Sequence, residues 1–370
     1  MNKVNAIIIF IFAVIIIAAA IFTVALSLAA VYSDDDGADL FRTRAAAQLF
    51  ADEKNTYITC VPEPPEDKPE VITLSFVGDC MLATMLGGSG TGSFNAAADT
   101  KSPEYFFSGV SDIFKNDSLT IANCENVFTD AELSPIGKNH SPAYWYRSKS
   151  KNAGIFIAGG VDVVSLANNH ADDYGKQGRA DTVAAVEAAG LEWGDDNKPL
   201  VFELNGVKIG LYLCTLYNAS SANRIIDWLK QSSDETDFQI VYYHGGTERV
   251  YVPDEWRAAA ARKLIDAGAD LVIGGHPHVL QPMEYYGGSV IVHSLGNFLF
   301  GGSRTTDRYT VILQEKLTVK DGLILASETV LIPCYEYTTP GDWHPVIIDP
   351  EDIAYNKIMD FMTGKNSTLK

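Results

Sequence analysis

Five short apolar runs in this 370-residue chain each end at a residue of the type that binds metals or moves protons, and that recurrence restricts the possible folds. Residues 71–77 lead through Gly78 to Asp79, and residues 119–122 lead into Asn123-Cys124-Glu125-Asn126. Residues 161–166 lead into Asn168-Asn169-His170 and then Asp173-Tyr174-Gly175; residues 238–243 lead into His244-Gly245-Gly246-Thr247-Glu248. Residues 271–273 lead through two glycines to His276 and His278. Runs of this length rich in β-branched residues read as buried strands. Residues 176–189 have helical spacing with Gly190 as a stop, and residues 253–267 start with proline and end before Gly268. Strands alternating with such helices predict a largely parallel α/β sheet, in which ligands collect at the carboxyl ends of the strands. A set of carboxylate, amide and imidazole groups gathered there suits borderline divalent ions such as manganese, iron or zinc.

The densest stretch is Leu271-Val-Ile-Gly-Gly-His-Pro-His-Val-Leu-Gln281. Residues i and i+2 of an extended segment point the same way, and Pro277 disfavours a helical conformation at His276. We therefore expect extended backbone here, with both imidazoles aimed at one small volume. Elsewhere, Asn205-Gly206 between two alternating runs signals a hairpin.

A net charge of −19 argues against a basic groove for a polyanion, so nucleic acid is not an expected partner, and an anionic substrate needs local positive charge. Arg147 and Arg304 are candidates for that grip. The five cysteines lack Cys-x-x-Cys spacing, which argues against both a disulfide scaffold and a thiolate zinc site. Cys80 and Cys124 each adjoin a proposed ligand and should lie close together. His293 sits inside an apolar run and reads as a core residue, whereas His140 and His344 carry no signal.

Residues 6–31 are apolar apart from Thr23 and Ser27, longer than the roughly 20 residues that cross a bilayer. We read residues 1–32 as a membrane anchor; a cleaved signal peptide is the rival, but its apolar region usually runs only about 7–15 residues. Lys3 on one side and Asp34-Asp35-Asp36 on the other place the amino terminus in the cytoplasm and the following domain outside it. Residues 33–70 carry ten acidic and four basic residues with a proline-rich end, and read as a stalk. The main domain is expected over residues 71–335, followed by a C-terminal extension, 336–370.

The motifs Gly78-Asp79-Cys80-Met81, Asn123-Cys124-Glu125, the run from Gly160 to His170 with Asp173-Tyr174-Gly175, His244-Gly245-Gly246-Thr247-Glu248, Gly275 to Gln281, and Ser294-Leu295-Gly296-Asn297-Phe298 are together similar to the CapA/PgsA-type poly-γ-glutamate capsule biosynthesis family. That family belongs to the calcineurin-like metallophosphoesterase superfamily, and the resemblance spans about residues 71–331. It implies a four-layer α/β/β/α sandwich with a two-metal centre. Asp79, Glu125 and His278 would hold one ion; Asn169, His244 and His276 would complete the other, with Glu125 bridging. His170 would donate a proton to the leaving group or stabilise the transition state, with a hydrogen-bonded core histidine as the alternative. Glu248 either orients His244 or contacts substrate, or is a solvated loop carboxylate. Asp173 reads as a turn residue before a catalytic one. Metallophosphoesterases carry histidine two residues after the first aspartate; Met81 stands there, and thioether is a poor ligand for such ions.

Two functions compete. One is a membrane-anchored, extracytoplasmic, metal-dependent hydrolase-like protein acting on an anionic polymer or phosphoester in capsule synthesis or export. The other is a non-catalytic assembly or transport subunit of a membrane polymer synthase complex, which Met81 motivates.

Overall fold

Strand β1 (Glu70–Met81) carries Ile72, Leu74 and Phe76 on one face and Ser75 and Val77 on the other, the period of two that a strand buried on both sides requires. The computed structural model describes residues 68–369 except 89, 139, 140 and 303–307. The expected anchor, Arg304, His140 and nearly all of the stalk lie outside the described residues. Among the described residues no helix is long and apolar enough to cross a membrane.

The remaining strands, in chain order, are β2 (Thr84–Met85), β3 (Leu119–Cys124), β4 (Val127–Phe128), β5 (Tyr146–Ser148), β6 (Val163–Ser165), β7 (Glu192–Gly194), β8 (Leu200–Leu204), β9 (Val207–Thr215), β10 (Phe238–His244), β11 (Leu271–Gly275), β12 (Leu280–Tyr286), β13 (Ser289–Leu295), β14 (Asn297–Phe300), β15 (Tyr309–Lys320), β16 (Leu323–Tyr335) and β17 (Val346–Ile347). One sheet has the order β17-β16-β15-β1-β3-β6-β7, with β14 also paired to β1; the second has the order β12-β13-β11-β10-β9-β8. Strands β1, β3, β6 and β7 are parallel to one another, as are β9, β10, β11 and β13. The antiparallel members sit towards the sheet margins.

Ile72, Leu74, Phe76 and Ile121 from the first sheet meet Leu211, Leu213, Ile240, Tyr242 and Ile273 from the second in one continuous core. Helix Ala219–Ser232 and helix Glu255–Asp266 cover the outer face of the second sheet through Ile225, Leu229, Ala261 and Leu264. The outer face of the first sheet is covered by Phe107, Phe156 and Val186 from its own helical segments. Two packed sheets with helical segments on their outer faces make a mixed α/β fold, in line with what the resemblance implies. Burying one such large apolar side chain stabilises by roughly 1.5–3 kcal/mol, so packing between layers dominates over local propensity.

Three local expectations change. Strand β1 continues past Val77; its pairing with β3 shifts between Phe76 and Asp79 and its pairing with β14 between Asp79 and Cys80, so Asp79 is a paired residue inside the strand, flanked by two irregularities. The stretch 294–298, expected as the join between strands over 289–292 and 309–319, is not a plain connection: β13 of the second sheet ends at Leu295 and the chain enters the first sheet as β14, beside β1. Residues 336–370, expected as an extension, contribute β17 and helix Ile353–Met362, whose Ile358, Phe361 and Met362 lie in the core between the sheets. Ala354, Ile358, Phe361 and Met362 recur there at helical spacing on the buried face, a signal the sequence reading passed over.

Candidate metal centre

Asp79 is held by groups from both sheets. Its backbone N–H donates to the Gly296 carbonyl at 2.9 Å, and a Cβ on Gly78 would fall 2.0 Å from that same oxygen, so only glycine permits this approach. Tyr242 of the second sheet donates its hydroxyl to the Val77 carbonyl at 2.7 Å, fixing β1 two residues earlier. The carboxylate accepts from Asn123 Nδ2 at 2.8 Å and from the His276 backbone N–H at 2.9 Å.

Around it the predicted ligands converge. His278 Nδ1 lies 3.3 Å from Asp79 Oδ2, and its Nε2 lies 3.8 Å from Glu125 Oε1. His244 Nε2 is 2.8 Å from Asn169 Oδ1, 3.0 Å from His276 Nδ1 and 3.6 Å from Glu125 Oε1. The structure therefore brings Asp79, Glu125, Asn169, His244, His276 and His278 together. Ligand atoms of Glu125, His276 and His278 lie within 4.8 Å of one another, as do those of Asp79, Glu125 and His244. Asp79, Glu125 and His244 are buried, whereas Asn169 is exposed.

The histidine backbone is not extended as expected. His276 has φ +92° and His278 φ +58°, both in the left-handed region that non-glycine residues rarely adopt, at an order of 1–3 kcal/mol each. Residues 276–279 form a bend, and it is this bend, not the alternation of a strand, that turns both rings inward.

Electrostatics mark the site as built for cations. Burial pushes the Glu125 carboxyl well above its usual range, and the Asp79 charge adds to this; neither Glu125 oxygen has a hydrogen-bond partner among the described residues. Burial opposes ionisation of Asp79 too, yet His244 and His278 outweigh it and hold the carboxyl well below the usual range. Burial works to lower the pKa of His278, but the Glu125 and Asp79 charges raise it to about 9. Burial lowers the pKa of His276, with the neighbouring His244 and His278 acting in the same direction. A buried carboxylate with two orphaned oxygens facing three imidazoles fits a divalent cation by donor type and by charge.

Met81 is fully buried against Ala83, Tyr146 and Phe300 and packs as a core side chain. Cys80 and Cys124 are register partners on β1 and β3, and both are free, buried thiols. They contribute to the outer-face core, away from the ligands.

His170 Nδ1 lies 2.8 Å from Asp173 Oδ2, and Lys138 Nζ lies 2.6 Å from Asp173 Oδ1. Asp173 also accepts the Tyr146 backbone N–H at 2.8 Å, so this turn residue orients His170. Burial lowers the His170 pKa against the pull of Asp173. A cavity of about 310 Å³ beside the ligands is lined by Tyr144, Tyr146, His170, Glu248, Arg249 and His278, with Pro142 and Phe300. Arg147 is not among its walls: the guanidinium donates to the Ala131 carbonyl at 3.0 Å and lies over the Tyr174 ring.

Sequence reasoning passed over Asn123, Asn297, Lys138 and Arg249. Asn123 bridges Asp79 and His244, and Asn297 Oδ1 lies 3.0 Å from His278 Nδ1. Both asparagines sat inside stretches already singled out. Lys138 and Arg249 fall in loops with no periodic signal.

Residues 73–302 match the family described as bacterial capsule synthesis protein PGA_cap. The chain belongs to that family. It is 29% identical over 273 residues to the PGA biosynthesis protein CapA of Bacillus subtilis, covering 67% of this chain and 68% of that one. The capsule biosynthesis protein CapA of Bacillus anthracis is 30% identical over 268 residues, covering 64% of this chain and 62% of that protein. A probable polyglutamine synthesis accessory protein of Mycobacterium tuberculosis is 28% identical over 184 residues, covering 41% of this chain and 48% of that protein. Among solved structures, a putative 5'-nucleotidase of Staphylococcus aureus aligns with a TM-score of 0.46 at 15% identity, over 79% of this chain and 58% of that one. The calcineurin-like phosphoesterase YfkN of Bacillus subtilis aligns with a TM-score of 0.40 at 15% identity, over 71% of this chain and 90% of that one.

Proposed function

We propose that this protein is a metal-dependent hydrolase acting in the synthesis or export of an anionic capsule polymer, poly-γ-glutamate by family, and anchored in the cell membrane through residues 6–31. The single observation that carries the enzymatic reading is Glu125, buried, with no hydrogen bond to either oxygen among the described residues, and facing three imidazoles. Asp79, Glu125 and His278 would hold one divalent ion, and Asn169, His244 and His276 with Glu125 the other. Such ions lower the pKa of a bound water and neutralise charge developing on the scissile group.

The chain's own residues account for the rest. Asp173 engages Nδ1 of His170 and leaves Nε2 as the ring nitrogen free to exchange a proton. With burial favouring the neutral ring, His170 takes a proton from the nucleophile and hands it to the leaving group. Lys138 holds Asp173 from the far side and keeps the pair in register.

The test is metal analysis of the purified chain together with hydrolysis assays on a phosphodiester and a γ-glutamyl amide, before and after His276→Ala. Absence of a bound divalent ion, or activity untouched by the substitution, defeats the reading. Carbonate extraction of membranes tests the anchor. Met81 supports a second reading, a non-catalytic subunit of a membrane polymer synthase complex, because it places a packed thioether where related enzymes have a ligand. In that case ligand substitutions leave polymer output unchanged while deletion of residues 1–32 abolishes it.

A further inference from the structure

The cavity beside the ligand cluster places a cation and an anion side by side on consecutive residues, Arg249 and Glu248. Among the described residues Arg147, Arg179, Arg224, Arg257, Arg262 and Arg308 each have a carboxylate or carbonyl partner. No described residue engages the Arg249 guanidinium. In a chain of net charge −19, a guanidinium on the wall of a cavity with no partner among the described residues is notable, because acidic partners abound.

The backbone under it is also specified. Arg249 has φ +60°, and its N–H donates at 2.8 Å to the carbonyl of Pro277, the residue between the two ligand histidines. A non-glycine residue held in that region costs on the order of 1–3 kcal/mol and persists where the surroundings fix it. The bond ties the loop carrying Glu248 and Arg249 to the segment carrying His276 and His278.

Resting on the proposed function above, we infer that Arg249 is a substrate-binding residue and that Glu248 and Arg249 together read an N-acyl amino-acid unit with a free α-carboxylate. A guanidinium pairs with a carboxylate through two parallel N–H bonds, while an adjacent carboxylate accepts an amide N–H. An α-carbon bearing both an amide N–H and a carboxylate presents those two groups together, and repeats them along a γ-linked chain. Phosphate carries no amide N–H for Glu248, and its charge is repelled by that carboxylate. The apolar faces of Pro142, Phe300 and the tyrosine rings suit the methylenes between units.

Calorimetric titration of the full chain with γ-linked tetraglutamate, α-linked tetraglutamate and inorganic phosphate tests this. Arg249→Ala weakens the γ-linked oligomer by about tenfold or more, since charged hydrogen bonds are worth about 1.5–3 kcal/mol, and Arg249→Lys recovers part of the loss. Manganese titration and the far-ultraviolet dichroism spectrum stay as in the wild type, which separates this result from failure of the metal site. The inference is overturned if the wild type does not bind the γ-linked oligomer, or binds the α-linked one equally. It is also overturned if Arg249→Ala leaves binding unchanged or weakens phosphate to the same degree.

Discussion

The ring of His278 spans the space between Asp79 and Glu125, with Nδ1 3.3 Å from the first carboxylate and Nε2 3.8 Å from the second. Both carboxylates are fully buried. The ring favours the ionised form of both, together with His244 at Asp79, and among the described residues Glu125 receives no hydrogen bond to supplement it.

Replacing Glu125 by Gln removes a buried ionisable group whose charged form is disfavoured. The metal-free protein should then melt at the same temperature or higher, while the stabilisation conferred by manganese is lost. Thermal denaturation with and without the ion measures both effects. An undiminished manganese-dependent shift in the variant would sink the assignment of Glu125 as a ligand.

The pH dependence of the metal-free chain has a definite sign. The folded-state pKa of His278 is raised to about 9, above an unfolded value near 6.5. The stability it contributes is complete below about pH 6.5 and is lost as pH rises towards 9. The raised carboxyl of Glu125 acts in the same direction. Denaturant unfolding of the chelated protein should weaken across that window, and added manganese should flatten the decline because the ion replaces the proton. The depressed Asp79 carboxyl acts separately, costing stability only as the solution becomes strongly acidic.

Gly78→Ala places a Cβ 2.0 Å from the Gly296 carbonyl oxygen, and the backbone on both sides is pinned. Destabilisation at or above the upper end of the roughly 1–3 kcal/mol usual for overpacking is expected. Chemical denaturation reports it directly, and a midpoint equal to the wild type would show that β1 and β14 can separate freely at this point.

Asp173→Asn keeps an acceptor for Tyr146 and removes the charge that orients His170. A general acid or base typically contributes about 10²–10⁴-fold, so turnover should fall by a comparable factor, and the melting temperature should fall as well because the largely buried Lys138 ammonium loses its counter-charge. Nitrogen-15 spectra of the histidine rings should show His170 losing its fixed tautomer, a readout that does not depend on activity. An unchanged tautomer would leave Asp173 with only its turn role.

Much of this centre was legible in the sequence because strand ends announce themselves. An apolar run followed at once by Asp79, Glu125, Asn169, His244 or His276 encodes both a location and a chemistry, and parallel topology does the gathering. What escaped depended on contacts between segments far apart in the chain. Asn297 faces Asp79 only because β14 leaves one sheet for the other, and no spacing rule signals such a crossing. Arg147 and Arg249 look alike in sequence, and only the fold shows that the first is occupied by loop carbonyls. The bend at His276 and His278 also escaped, since proline between them suggested extension and tertiary contacts overrode it.

The passage of the chain through Gly296, from β13 to β14, stitches the two layers together at the floor of the centre. Half the cluster, Asp79, Glu125 and Asn169, rides on one layer, and His244, His276 and His278 ride on the other. Sliding of the layers would therefore shear this seam before it disturbed either sheet's own ladder. The two ligand halves are thus joined by continuous chain right beside the site, where Gly296 accepts the Asp79 N–H.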